Sequence, residues 1–198
     1  MRRILITAIA VLSAALAACD RSDGEKGIPG ERAQTQVEAE TRVDTVAQEE
    51  PALARSQWRA ANDDARAVTG NLRVSLQGRR GGPLAFAFAT GITVVAQPYN
   101  VVPADSRSGV GGQSFAAVLG GDPRVEAYLY EVETGNERVA PSAPRGGLCG
   151  EAVTTHLAVS EFVDGSGRWV FKIAAFTGDG RPPAGDPQLC NAFSYTAQ

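Results

Sequence analysis

The sequence predicts a mainly β protein: an antiparallel β-sandwich or small barrel of about seven strands, with one helix at its start. Two observations predict this class. After residue 70, large apolar residues alternate with polar or small ones, which is the period of a half-buried strand. Glycine, proline and aspartate clusters separate these segments at short intervals. The chain shows no strand–helix alternation of the kind that a parallel α/β fold requires.

Seven segments carry the strand pattern. Residues 154–163 and 168–176 show it best, and Asp164-Gly165-Ser166-Gly167 between them supplies the turn chemistry of a hairpin. Pro98 predicts that the segment of residues 92–102 lies at a sheet edge or contains a bend. In chain order the seven segments are residues 72–77, 84–89, 92–102, 124–133, 154–163, 168–176 and 191–195.

The first helix is predicted over residues 51–68. Trp58, Ala61, Ala65 and Val68 recur there at helical spacing. Pro51 at the start and Gly70 just past the end are typical of helix termini. A second, shorter helical turn is predicted over residues 114–119. Its cap is Gln113 or Ser114, and Gly120-Gly121 stops it.

The part of the chain that follows residue 18 consists of two segments that differ in net charge, and they meet at residue 50. Residues 20–50 hold four basic and nine acidic groups and lack aromatic side chains, so they predict a flexible acidic tether that spans about 30 Å. Residues 51–198 hold thirteen groups of each sign and predict a single globular domain. A domain without net charge gives no reason to expect nucleic-acid binding.

The N-terminus has the form of a secretory signal. Arg2-Arg3 precede an apolar run that is too short for a membrane-spanning helix. The run ends in Leu16-Ala17-Ala18-Cys19, and these four residues resemble the lipobox of bacterial lipoproteins. The resemblance covers residues 1–19 only. It implies removal of residues 1–18, a diacylglycerol on the Cys19 thiol, and acylation of the freed amine, for example by palmitate.

The lipoprotein resemblance also implies a location. The protein would be anchored to a membrane of the cell envelope through Cys19 and would face the periplasm. In the sorting rule that the resemblance implies for enteric bacteria, Asp20 after the lipidated cysteine favours the inner membrane.

Cys149 and Cys190 are the two cysteines that remain, and the compartment permits disulfides. We therefore expect a Cys149–Cys190 bridge; the alternatives are two buried free thiols or a metal site. Zinc prefers clustered ligands, and His156 is the only histidine. No metal and no cofactor are predicted.

Several residues are candidate catalytic or binding groups. His156 is a candidate base, although a histidine beside apolar residues on a strand is more often a structural one. Glu131 and Glu133 lie about 6.5 Å apart on one strand face, a spacing compatible with paired glycosidase acids. Asp179 and Asp186 lack the regular spacing of a calcium loop. Gly112-Gln113-Ser114-Phe115-Ala116 resembles the nucleophile elbow Gly-x-Ser-x-Gly except at its last position. Arg79-Arg80, in a glycine-rich turn, is a candidate contact for a partner.

None of these groups converge in the sequence on a catalytic site. The expected function is therefore a non-enzymatic binding or structural role in the envelope, with an envelope protein or a small ligand as partner. One alternative is an inhibitor or carrier that resembles the small β-barrel lipoproteins that block lysozyme, at the level of class alone. The other alternative is an envelope hydrolase.

Overall fold

The computed structural model describes residues 55–144 and 146–197. This part of the chain consists mainly of β-strands with two short helical turns. The elements are β1 (Gln57–Ala60), a π-helical turn (Ala65–Thr69), β2 (Leu72–Leu76), β3 (Leu84–Phe88), β4 (Ile92–Pro103), α1 (Phe115–Leu119), β5 (Glu126–Glu131), β6 (Glu137–Val139), β7 (His156–Val163), β8 (Trp169–Thr177) and β9 (Gln188–Ala197).

Eight strands form a closed antiparallel barrel. Its order is β1-β2-β3-β4-β5-β7-β8-β9, and β9 pairs with β1 to close the ring, with Arg59 opposite Thr196. Each strand therefore lies beside its neighbour in the chain, which is the up-and-down arrangement. β6 lies outside the ring and pairs with the first residues of β4, with Arg138 opposite Thr93.

The barrel settles the choice between a sandwich and a barrel, and it corrects the strand count. The sequence pattern predicted about seven strands, whereas the ring holds eight and β6 is a ninth. The two strands that the pattern missed are β1 and the three-residue β6. β6 is too short to show a period of two.

The predicted helix over residues 51–68 is wrong where the structure describes residues 57–60, because these form β1. Within the described part of the predicted range, the helical residues begin at 63 and continue into the π-helical turn Ala65–Thr69, and residues 51–54 lie outside the described residues. β1 pairs with β2 on one side and β9 on the other, so its backbone closes the ring. Trp58 is fully buried and stacks on Phe171, with ring centroids 5.0 Å apart. This burial and strand pairing outweigh the local helical spacing.

Aromatic side chains fill the barrel interior. Large residues on several strands point inward, as Phe86 does on β3 and Ile173 on β8, whereas Trp169 at the start of β8 is 38% exposed. Tyr195 is buried among them, and its hydroxyl lies 2.7 Å from Thr69 Oγ1. The fully buried aromatic residues of this core are Trp58, Phe86, Tyr130, Phe171, Phe193 and Tyr195.

A second apolar cluster lies outside the barrel. α1 packs across the outer face of β7, β8 and β9, where the outward residues Ala158 and Ala174 are small enough to let Phe115 approach. Of the two predicted caps, Gln113 and Ser114, it is Ser114 that caps α1, because its Oγ accepts a hydrogen bond from the amide of Ala117 at 3.2 Å. Part of the outer wall is therefore covered, and the part beyond the C-terminus of α1 is open.

The predicted disulfide is confirmed. Cys149 and Cys190 are bonded, with Cα atoms 5.2 Å apart and a separation of 41 positions in sequence. Cys149 lies in the loop before β7. Cys190 lies within β9, whose start at Gln188 precedes the predicted start at residue 191. The bond therefore ties the last barrel strand to the loop that leads into the β7–β8 hairpin.

Candidate functional site

The open part of the outer wall carries a row of three polar side chains across three strands. Ser160 on β7 lies directly opposite Lys172 on β8, and Lys172 lies opposite Ser194 on β9. Because the row is perpendicular to the strands, Ser160 and Ser194 each lie beside Lys172 in space although they are 34 positions apart along the chain. The row lies one step beyond the alanines that α1 covers.

A groove of about 320 Å³ is lined by two members of this row, Lys172 and Ser194. One side is apolar, with Phe162 and Val170, and the other presents the hydroxyls of Ser194 and Thr196. We call it the Lys172 groove. Its lining residues are Ala61, Gly120, Phe162, Asp164, Arg168, Val170, Lys172, Ser194 and Thr196. A second depression of about 490 Å³ adjoins it and shares Gly120, Phe162 and Asp164.

The carboxylates at the groove and in the adjoining depression already accept hydrogen bonds from neighbouring side chains. Asp164 accepts hydrogen bonds from Ser166 and Arg168, and these donors lower its pKa to about 2. Asp122, in the adjoining depression, is held by Arg124 at 2.8 Å, and hydrogen bonds from that residue lower its pKa to about 2. Neither carboxylate lies within ion-pair distance of Lys172.

Lys172 is half-buried, and its pKa is lowered from the ordinary value because burial removes water from the ammonium group. Ser160 is only 1% exposed, and its Oγ has no hydrogen-bond partner among the described residues. A serine beside a lysine is the composition of a nucleophile–base pair. Here, however, a methyl group on Gly121 would stand 3.5 Å from Ser160 Oγ, so the chain covers the hydroxyl and a substrate carbonyl does not reach it.

His156 belongs to a separate cluster at the opposite end of β7. Thr155 Oγ1 donates to the carbonyl oxygen of Gly178 at 3.0 Å, so it accepts the Nδ1 proton of His156 at 3.1 Å. This leaves the lone pair on Nε2. Burial lowers the pKa of His156 below its ordinary 6.5, the Glu131 carboxylate opposes that shift, and the Arg181 guanidinium adds to it.

Arg181 fastens the loop of residues 178–187 over this cluster. Its guanidinium lies 4.0 Å from the ring centroid of Tyr99 and 2.9 Å from Glu131 Oε2. The Tyr99 hydroxyl donates to the carbonyl oxygen of Pro182 at 2.6 Å. Burial raises the pKa of Tyr99 to about 12, against a lowering effect of Arg181. These contacts hold the 178–187 loop against Tyr99 and Glu131.

The structure brings together some of the weighed residues and separates others. Glu131 lies directly opposite His156, whereas Glu133 is exposed and contacts Asn136. Ser114, the serine of the elbow-like segment, serves as the cap of α1. Asp179 and Asp186 are exposed on the 178–187 loop. Within residues 55–144 and 146–197, no three histidine, cysteine or acidic side chains are grouped to hold a metal ion.

Arg79 and Arg80 lie where the sequence placed them, exposed in the turn between β2 and β3. Cys19 and Asp20 lie outside the described residues, and so does the tether. No helix in the described ranges is long and apolar enough to cross a membrane.

Sequence reasoning missed Lys172. One signal could have found it: of the thirteen basic residues in 51–198, Lys172 is the single lysine, and it interrupts the apolar residues of the best strand. Ser160 and Ser194 carried no such signal, because only the strand register places them beside Lys172.

Searches of protein-family models, of curated proteins and of solved structures found no match to this chain. The fold and the site themselves define its class. It is a small up-and-down β-barrel with a packed interior and a polar groove on its outer wall.

Proposed function

We propose that this protein is a lipid-anchored lipoprotein of the bacterial cell envelope whose barrel binds a partner or a small ligand and does not catalyse a reaction. The anchor is Cys19, and the lipobox-like Leu16-Ala17-Ala18 before it supports this assignment. The barrel faces the periplasm at the end of the acidic tether.

The observation that carries the binding role is the packed interior. Aromatic side chains such as Phe86, Phe171 and Tyr195 occupy the centre of the ring, so a carrier that encloses its ligand would have to displace them. The outer wall is then the surface left for binding. It offers the Lys172 groove, whose volume lies at the lower end of the range of small-molecule sites, roughly 300–1,000 Å³.

The engagement of the weighed catalytic groups supports a non-enzymatic role. His156 donates to Thr155, Glu131 is paired with Arg181, and Ser114 caps a helix. Each group therefore has a structural task, and the three do not share one pocket.

Lipid labelling and cell fractionation test the anchor. We expect the wild-type protein to incorporate labelled palmitate and to pellet with membranes, and Cys19→Ala to lose the label. Cys190→Ser is the matched control, because it removes a cysteine but leaves Leu16–Cys19 unchanged, and it should stay labelled. A mature-length Cys19→Ala chain that still pellets with membranes would contradict the proposal.

A further inference from the structure

The Lys172 groove has an excess of positive charge. Among the described residues, Lys172 makes no ion pair, and Arg59, which lies opposite the groove residue Thr196, makes none either. Asp164 and Arg168 neutralise each other within the groove. The wall therefore presents cationic groups whose charge no neighbouring carboxylate balances.

The surroundings of Lys172 favour an anion over water. The ammonium group is half-buried, so it has lost part of its hydration, and a partly desolvated charge interacts more strongly with an opposite charge than an exposed one does. Hydroxyl groups of Ser194 and Thr196 line the same groove and can donate to the same ligand. The Ser160 hydroxyl beside Lys172 is buried beneath the chain at Gly121 and is therefore not counted among the donors to the ligand.

The apolar side of the groove indicates what else the ligand carries. Phe162, Val170 and Ala61 supply apolar side chains to its lining. A small inorganic ion would leave these side chains in water, whereas an oxyanion attached to a short apolar group would cover them.

We propose that the Lys172 groove binds a small ligand that carries a carboxylate or phosphate group on an apolar stem. The oxyanion pairs with the Lys172 ammonium group and accepts from the hydroxyl of Ser194. The stem lies against Phe162 and Val170. This inference names the ligand chemistry of the binding role proposed above and rests on it.

The lysine content of the chain allows a direct test. Lys26 and Lys172 are its only lysines, so reductive methylation of the mature protein with ¹³C-formaldehyde gives one NMR signal for each side chain. The Lys172 signal is assigned by its absence in Lys172→Arg. N-acetyl-D-alanyl-D-alanine supplies a carboxylate, glycerol 3-phosphate supplies a phosphate, and N-acetyl-alaninamide is the uncharged control.

We expect one of the two anions to shift the Lys172 signal saturably and to raise the pKa of Lys172, while the Lys26 signal stays nearly constant. The anion that acts distinguishes a carboxylate ligand from a phosphate ligand. Lys172→Met should weaken that binding by roughly tenfold to a hundredfold, as expected for loss of a charged hydrogen bond. The matched control Arg138→Gln removes an exposed charge on β6 and should bind as the wild type does.

Two results would overturn the inference. In one, both lysine signals move together without saturation, which reports ionic strength alone. In the other, Lys172→Met, shown by thermal unfolding to be folded, binds as tightly as the wild type. If either occurs while Cys19→Ala still loses its palmitate label, the groove assignment fails and the anchored lipoprotein stands.

Discussion

His156 shows how a single residue can be tuned for stability. It is 7% exposed, donates from Nδ1 to Thr155, and meets the Tyr99 ring edge-on with centroids 6.0 Å apart. The charged groups that face it are Glu131 and Arg181, which are paired with each other. Burial is the largest influence, and it favours the neutral imidazole.

We expect the free energy of unfolding to fall as the pH drops below about 6.5. The folded-state pKa of His156 is below 6.5, so the unfolded chain takes up a proton first and acid favours unfolding. The contribution of His156 to the free energy of unfolding is complete above pH 6.5 and is lost as the pH falls to the folded-state pKa. The free energy of unfolding should change by no more than about 1.4 kcal/mol per pH unit over this range.

Urea denaturation between pH 7.5 and 5 measures this effect. His156→Gln should remove the part of the pH dependence that belongs to the imidazole, because the chain has no second histidine. A wild-type curve and a His156→Gln curve that run parallel over this range would count against the assignment.

At the scale of elements, the loop of residues 178–187 is held at two places. The Arg181 guanidinium rests on Tyr99 and pairs with Glu131. Just after the loop, the Cys149–Cys190 bond fixes the start of β9. Glycine- and proline-rich sequence has little of its own to order such a loop, so these tertiary contacts determine its position.

We expect the double variant Cys149→Ser/Cys190→Ser to lose roughly 4 kcal/mol of stability, the chain-entropy value for a closed loop of this length. Its melting temperature should fall by many degrees, and proteases should cut first within residues 178–187. Reduction of the wild type is the control and should produce the same loss. Equal melting temperatures with and without reductant would show that the bond does not brace the fold.

At the scale of the whole molecule, the closed barrel has its stabilising core inside the ring and its exposed surface on the outer wall. The ring of eight strands has no unpaired edge within it, and its aromatic core gives stability without a ligand. Under the proposed binding role, the outer wall and the loops are the surfaces left for a ligand. We propose that a lipid on Cys19 keeps the barrel near a membrane through the tether of residues 20–50, which carries all of the acidic excess.

The position of Asp20 predicts which membrane holds the protein. In an enteric host we expect the lipidated wild type to sediment with inner-membrane markers in a density gradient, since aspartate after the lipidated cysteine disfavours transfer to the outer membrane under the sorting rule. Asp20→Ser should move it to the outer-membrane fraction. Wild-type protein among the outer-membrane markers would refute the expectation.

Local pattern was enough for most of the strands. The β7–β8 hairpin follows from alternating side chains around Asp164-Gly165-Ser166-Gly167, because a period of two and turn chemistry are both properties of neighbouring residues. The cap at Ser114 is equally local. The Cys149–Cys190 bond followed from counting, because two cysteines allow only one pairing.

Tertiary structure decided the rest, because it depends on partners distant in the chain. Trp58 stands at helical spacing, yet pairing with β2 and β9 and stacking on Phe171 make its segment a strand. Closure of the ring therefore outweighs a local preference worth only fractions of a kcal/mol per residue. The Lys172 groove arises in the same way. The hairpin register sets Ser160 opposite Lys172, whereas Ser194 joins the row only because β9 pairs with β8 across the 178–187 loop.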